Sequence, residues 1–181
     1  MKILNLILLL SFSFTCKSND DTPQSQNINS VSKPSSSFNQ ALLKNTIEIN
    51  NSNSELSEQD LQKFVESIGD ARIVALGEQS HGAGSVFTLK TQLIKYLHKH
   101  HDFDLFILES GIFDVDKISK SALTGSSIKE NAPGNIFYMY SKTDEVMPLF
   151  DYINAKITSD QPLNFVGFDS QHTGGFQIKN Y

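Results

Sequence analysis

Three short apolar runs in this chain each lead into an acidic residue, and this pattern constrains the fold more than any other feature. The runs cover residues 73–76, 105–108 and 164–166, and the acids that follow them are Glu78, Glu109 and Asp169. Stretches with helical spacing separate the runs, which is typical of strand–helix–strand units with parallel strands. Because ligands bind outside the carboxyl ends of parallel strands, we expect the three acids to face one crevice.

Apolar residues at helical spacing predict the helices that flank these strands. The first helix is expected to begin after Ser57, with Asp60 three residues on, and to end at Gly69. The four apolar stripes are Leu61, Phe64, Val65 and Ile68; Val86, Leu89, Leu93, Ile94 and Leu97; Ile112, Val115, Ile118 and Ala122; and Val146, Leu149, Phe150 and Ile153. The first two strands are apolar throughout, which predicts helices on both faces of the sheet.

The sequence therefore predicts an α/β fold in which a parallel sheet is flanked by helices. A sheet of three strands is small for this class. We therefore expect residues 41–181 to be an incomplete N-terminal portion of a larger domain. Residues 124–141, which include an aromatic patch at 137–140, predict either an irregular lid or an ordinary connector packed on the core.

The first 16 residues have the pattern of an export signal. A basic start is followed by a mostly apolar run, which is too short to span a bilayer and ends at Cys16, the only cysteine. This pattern predicts a lipoprotein signal at residues 1–16 and a lipid anchor at Cys16 in the bacterial cell envelope; the alternative is an ordinary signal with a chance cysteine. Residues 17–40, rich in Ser, Asn, Gln and Pro, are expected to form a flexible tether.

Composition excludes several classes of function. The net charge of -5 and the absence of a basic cluster argue against nucleic-acid binding. A single cysteine excludes an internal disulfide and a multi-cysteine zinc site. The Gly-x-Ser-x-Gly elbow of serine hydrolases does not occur, and Ala83 stands where a phosphate-binding loop would need lysine.

His81 is the first candidate for chemistry. It lies in a turn with Gly77 and Gly82, which allow backbone angles or close approaches that other residues resist. Histidine titrates near neutral pH and suits a general base. Glu78, three residues earlier, is predicted to fix the tautomer of the imidazole and to stabilise the imidazolium. The structural alternative is a turn histidine bonded to the backbone.

Glu109 and Asp169 are predicted to assist from neighbouring strands or to bind the substrate. Their structural alternatives are a helix cap or ion pair for Glu109 and a simple turn for Asp169. His172 follows Asp169 by three residues and is a further candidate for the crevice.

A second histidine cluster consists of His98, His100 and His101, at the end of the second helix. It predicts either a metal site or a solvated helix end. We favour the solvated end, where positive charge complements the helix dipole.

Three sequence blocks resemble the erythromycin esterase family. They are Gly77-Glu78-Gln79-Ser80-His81-Gly82, residues 103–111 with Glu109, and Gly167-Phe168-Asp169-Ser170-Gln171, and they occur in the family's order. The resemblance covers about residues 73–172. It implies a hydrolase that opens a macrolide lactone without metal or other cofactor. The residue matching His81 is implied to activate water, while Glu78 shapes that site and Glu109 is another member of it.

The resemblance also implies a basic residue on the helix after the motif. Lys90 stands there, where the best-known members carry arginine, and is implied to bind the substrate. Family members are much longer, and their later part contributes further site residues.

The leading hypothesis is a membrane-anchored hydrolase that cleaves a small-molecule ester or lactone with water activated by His81. One alternative is a metal- or ligand-binding lipoprotein in which Glu78, His81, Glu109 and Asp169 hold an ion, because carboxylates and imidazole form a reasonable ligand set. The other is an inactive, truncated fragment.

Overall fold

The structure is a computed structural model that describes residues 5–10 (backbone only), 36–46, 56–77, 82–172 and 174–176. One compact unit combines Met1–Phe12 with Asn51–Tyr181, and a second comprises Ser13–Asn50. In the second unit, helix α1 spans Ser36–Asn45, so the predicted end of the tether at residue 40 falls inside a helix. Cys16 lies outside the described residues. No helix in the described ranges is long and apolar enough to cross a membrane.

From α2 onward, the first unit contains the predicted strands and helices in the predicted order. Its elements are β1 (Asn5–Leu10), α2 (Glu58–Ile68), β2 (Ile73–Gly77), α3 (Gly84–His101), β3 (Phe103–Gly111), α4 (Ile112–Leu123), α5 (Ile128–Asn131), α6 (Tyr138–Ser141), α7 (Met147–Lys156) and β4 (Asn164–Asp169). The caps of α2 are those predicted: the Ser57 hydroxyl accepts a hydrogen bond from the Asp60 amide, and Gly69 ends the helix with φ 57°.

All the strands pair in parallel, in the order β2-β1-β3-β4. The sheet has one strand more than predicted. The apolar run interpreted as an export signal forms β1 and separates β2 from β3. An uninterrupted apolar run suits a central strand as well as a signal, so the pattern alone did not distinguish the two.

The helices that follow β2 cover one face of this sheet. The chain passes from β2 to β3 to β4 in one direction, and right-handed crossovers then place the connecting helices on the same side. On β3, Phe106 and Leu108 are buried to 0% and 1% exposure, whereas Ile107 between them is only half-buried. On β4, Val166 and Phe168 remain 36% exposed. On β3 and β4 the opposite face is therefore only partly buried, although helices were expected on both faces.

Aromatic packing joins β3, β4 and α7 in the core. The rings of Phe106 and Phe165 stack with centroids 5.6 Å apart, and Phe150 of α7 lies 6.0 Å from Phe165. On α4, the Ser119 hydroxyl donates to the Phe165 carbonyl at 2.5 Å, which fixes that helix to β4. This packing places α4 and α7 beside the last strand.

The stripe predicted for α3 is correct in its second half only. Leu93, Ile94 and Leu97 are buried, but Phe87 and Lys90 occupy the inward positions of the first half. The inward face therefore begins one residue later than the position predicted from Val86.

Residues 124–141 form a packed connector rather than a lid. They contain α5 and α6, and Ile128, Ala132, Ile136 and Tyr140 are each at most 1% exposed. The Phe137 amide also donates to the Ser110 hydroxyl at 3.1 Å. The connector is thus attached to the carboxyl end of β3.

Candidate active site

The strand register brings the carboxyl ends of the strands to one edge of the sheet. Gly77 of β2 pairs with Leu10 of β1, and Gly111 of β3 pairs with Asp169 of β4. Since β1 lies between β2 and β3, the end of β2 is about 10 Å from β3 across the sheet. Glu78 and His81 lie outside the described residues, so their roles stay predictions.

Glu109 lies inside β3 rather than after it. Its side chain is half-buried, on the same face as Ile107 and opposite the face that the helices after β2 cover. The next residue, Ser110, is 1% exposed and bonds the connector on the opposite face. Glu109 and Ser110 therefore lie on opposite faces of the sheet, because successive side chains of a strand point to opposite faces.

The glycines that the packing requires are not the two that the sequence indicated. A Cβ on Gly77 or Gly82 would meet none of the described residues within 4 Å, and neither has a positive φ, so the described packing does not require glycine at either position. Gly167 of β4 has no such space: a Cβ there would lie 2.5 Å from the Ser110 carbonyl oxygen and 2.8 Å from that of Gly111. Glycine at 167 therefore allows β4 to lie close against the end of β3.

Asp169 begins a turn at the end of β4. Its Oδ1 accepts a hydrogen bond from the Gln171 amide at 3.1 Å, which is an Asx-type turn. The structural alternative considered for this residue is therefore present. The turn leads the chain to His172 and Gly174, and both contact α4.

Asp114, in the first turn of α4, is the centre of that contact. It is 0% exposed, and its Oδ2 accepts hydrogen bonds from His172 Nδ1 and from the Gly174 amide, each at 3.0 Å. The positive end of the helix dipole also favours a carboxylate at this position. A Cβ on Gly174 would lie 2.5 Å from Asp114 Oδ1, so only glycine fits. We refer to these three residues as the Asp114 cluster.

His172 is the exposed member of the Asp114 cluster. Its side chain is 36% exposed, and its ring meets Phe113 edge-to-face with centroids 5.7 Å apart. The sequence singled out His172 as a candidate but missed Asp114. An acid in the first turn of a helix is ordinary, and its partner is 58 residues away.

Lys90 was predicted to bind the substrate, and the structure places it in the core. It is 7% exposed, and its Nζ lies 5.0 Å from the centre of the Phe87 ring, within cation–π range. The two residues line a small apolar pocket that Phe106, Leu108 and Tyr140 also line. Its contact with a substrate stays a prediction.

Glu145 is a second acid that the sequence did not indicate. Its carboxylate lies against Gly84, the first residue of α3, so closely that a Cβ at Gly84 would collide with Oε1. Thr91 donates to its carbonyl oxygen at 3.0 Å. Because the cap residue Ala83 provides no side-chain acceptor, a carboxylate here suits the positive end of α3.

His98 is buried in the last turn of α3, just before β3 begins, and so does not lie at the carboxyl ends of the strands that form the candidate site. It is 8% exposed, and its Nδ1 lies 2.7 Å from the Tyr152 hydroxyl, so the expected solvated end is wrong for this residue. His100 and His101 are exposed, and His100 Nε2 lies 3.5 Å from Glu58 Oε1. Burial lowers the pKa of His98 and raises that of Tyr152.

Comparison with known proteins relates the chain to hydrolases. It is 35% identical over 120 residues to a Bacillus subtilis protein named "Putative hydrolase YbfO", covering 65% of this chain and 26% of that protein. It is 25% identical over 122 residues to an Escherichia coli protein named erythromycin esterase type II, covering 67% of this chain and 29% of the relative. No family model matches the chain.

A solved structure supports the fold. A Bacillus cereus protein of known crystal structure superposes with a TM-score of 0.52 and 30% sequence identity, over 63% of this chain and 28% of that one. The predicted α/β class with a parallel sheet is confirmed. The chain spans less than a third of the length of each of these three proteins.

Proposed function

We propose that this chain belongs to a hydrolase that cleaves an ester or lactone bond in a small molecule. The observation that carries the proposal is the 35% identity to a protein named as a hydrolase, reinforced by the more distant similarity to an esterase. The shared edge of Gly77, Gly111 and Asp169 adds a place for the chemistry, because parallel sheets bind ligands at that edge.

In this proposal His81 takes a proton from water, and the resulting hydroxide adds to the carbonyl carbon. Glu78 stabilises the imidazolium that forms, as a carboxylate does beside any histidine base. Glu109, on β3, faces the bound carbonyl compound. Asp169 supports the neighbouring turn, and Lys90 supports the first half of α3.

The test is hydrolysis of a panel of alkyl esters, simple lactones and macrolide lactones by the chain. We expect activity on at least one class, and a loss of about 100-fold or more in kcat for His81→Ala, which removes the base. His101→Ala, an exposed histidine, is the matched control, and circular dichroism checks folding. Absence of hydrolysis across the panel, or full activity of His81→Ala, would contradict the proposal.

The proposed reaction uses no metal, whereas the alternative binding protein would hold one between carboxylates and imidazole. Dialysis against EDTA followed by metal analysis separates the two. We expect unchanged kcat after chelation. A stoichiometric ion that is removed together with activity would favour the alternative.

We also propose that Cys16 carries a lipid that holds the protein at the cell envelope. The support is the position of the only cysteine, directly after the apolar run. Growth with an alkyne-labelled fatty acid should label the wild-type chain and leave Cys16→Ser unlabelled. Equal labelling of both chains would show that the lipid, if any, is elsewhere.

A further inference from the structure

The Asp114 cluster combines a buried carboxylate with a partly exposed imidazole. Asp114 has no exposed surface, while 36% of the His172 side chain is accessible. The 3.0 Å bond from Nδ1 to Oδ2 leaves Nε2 as the ring nitrogen that does not bond Asp114. An imidazole held through one nitrogen by a carboxylate is the arrangement that orients a histidine for proton transfer at the other nitrogen.

Two hydrogen-bond donors and the first turn of α4 surround the Asp114 carboxylate. Burying a carboxylate costs free energy unless hydrogen bonds offset the loss of water. Here two donors converge on one oxygen, Oδ2, at the positive end of α4. This arrangement requires glycine at position 174, because a side chain there would collide with the Asp114 carboxylate and displace the Gly174 amide that donates to it. The carboxylate is thus fixed where it holds the His172 ring through Nδ1.

The location of His172 suits the proposed reaction. It follows β4 by three residues, and Asp114 follows β3 by three residues, so both lie at the carboxyl edge of the sheet. A carbonyl held above the end of β3 would have the end of β2 on one side and His172 on the other. The attacking water would then lie on the side of β2, and the departing oxygen on the side of His172.

We propose that His172 donates the proton that the leaving oxygen requires, and that Asp114 is its positioning residue; this rests on the proposed hydrolase function. After hydroxide adds to the carbonyl carbon, the bond from that carbon to the alcohol oxygen breaks. The bonding electrons pass to the oxygen, which takes the Nε2 proton of the His172 imidazolium, while the Nδ1 proton stays bonded to Asp114. The products are the acid and the alcohol; His172 regains a proton from solvent, and His81 loses one.

Other charged residues belong to the elements that meet here, and on α4 Asp116 and Lys120 pair with each other at 2.8 Å. Lys117 lies one turn further along α4, with its ammonium 5.4 Å from the centre of the Phe113 ring that contacts His172. Asp169 is engaged in its own turn at the end of β4. Asp114 is therefore the carboxylate that holds the imidazole directly.

The experiment compares two esters of one acid, with p-nitrophenol and with ethanol as leaving alcohol. Ethoxide is a poor leaving group that needs a proton, whereas p-nitrophenoxide leaves without one. For His172→Gln we therefore expect kcat to fall about 100-fold or more for the ethyl ester and less than about 5-fold for the aryl ester. His100→Gln is the matched control, because it makes the same change at an exposed histidine.

Asp114→Asn tests the positioning role with a readout other than activity. In the wild-type chain at high pH, where the ring is neutral, nitrogen-15 spectra should show the remaining proton on Nδ1, which bonds Asp114, so that Nε2 is the nitrogen that takes up and gives the second proton. The variant should lose this preference for one tautomer. Its kcat for the ethyl ester should fall while KM stays near the wild-type value.

The outcomes separate the two proposals. If the wild-type chain cleaves the esters and His172→Gln is unchanged, or loses equally with both alcohols, the proton-donor role is wrong while the hydrolase proposal stands. If the wild-type chain cleaves no ester or lactone at all, the hydrolase proposal fails and the donor role fails with it.

Discussion

His98 and Tyr152 form a buried polar pair, which makes the stability of the chain depend on pH. The imidazole is 8% exposed and its Nδ1 lies 2.7 Å from the Tyr152 hydroxyl, which donates to it when the histidine is neutral. Burial is the main cause that lowers the pKa of His98 from 6.5, and Lys156 lowers it further, against the carbonyls of Gln161 and Pro162, which raise it. The folded chain thus favours the neutral ring.

We expect the free energy of unfolding to decrease as the pH falls below about 6.5, the unfolded pKa of histidine. A lowered folded pKa means that the unfolded chain binds more protons in this window. The contribution of His98 is therefore complete above pH 6.5 and is lost as the pH falls through its folded pKa. Urea unfolding between pH 5 and pH 8 measures this dependence.

His98→Gln should flatten that dependence, because glutamine does not titrate. His101→Gln, at an exposed position of the same helix, should leave it as in the wild-type chain. Equal pH dependence of His98→Gln and the wild-type chain would show that another group governs stability in this window.

Single residues of the site could be predicted from sequence only where the signal is local. Asp169 and His172 follow a recognisable strand, and Ser57 precedes a recognisable helix. The bond between Asp114 and His172 joins residues 58 positions apart, and no pattern in the sequence links them. Lys90 was linked to the substrate by the family resemblance alone, and no local pattern predicted its burial beside Phe87.

At the scale of elements, the contact of β3 with β4 depends on Gly167. Gly167→Ala would place a Cβ 2.5 Å from the Ser110 carbonyl oxygen, so the strand ends must separate. We expect the free energy of unfolding to decrease by about 1–3 kcal/mol, as for other overpacked sites. Urea unfolding gives the value.

Gly77→Ala is the matched control for this prediction. It makes the same change in a parallel strand of the same sheet, but its Cβ would meet nothing within 4 Å. We expect its free energy of unfolding to be unchanged or slightly higher, since alanine restricts the unfolded chain. Equal losses for both variants would mean that close packing at Gly167 is not what the strand pair requires.

Most element boundaries followed from local chemistry, whereas the arrangement of the elements did not. The Ser57 cap and the Gly69 stop are short-range signals and were predicted correctly. The strand order depends on which segment lies between β2 and β3, and that choice is made by pairing between distant segments. The burial of Phe87 and Lys90 also depends on packing against distant segments. The sequence pattern therefore placed the inward face in the first half of α3 one residue too early.

At the scale of the whole molecule, one apolar segment has two competing roles. Residues Asn5–Leu10 form β1, yet the lipid anchor proposed at Cys16 requires the residues before it to be removed. Within the described sheet, β1 is the only strand that pairs with β2. A chain that begins at Cys16 must therefore leave the amides and carbonyls of β2 without these partners, which costs stability.

We accordingly expect backbone amides at 73–77 to exchange hydrogen faster in a chain beginning at Cys16 than in the full chain. Amides of α7, which bond within their own helix, provide the internal reference. In the full chain, Leu8→Pro should reproduce the faster exchange, because proline cannot donate to the ladder of a central strand, and Leu8→Val should not. Unchanged exchange at 73–77 in the shortened chain would show that β1 does not hold β2 in the sheet. The segment would then be available for export without loss to the fold, and the anchored protein would keep its candidate active site intact.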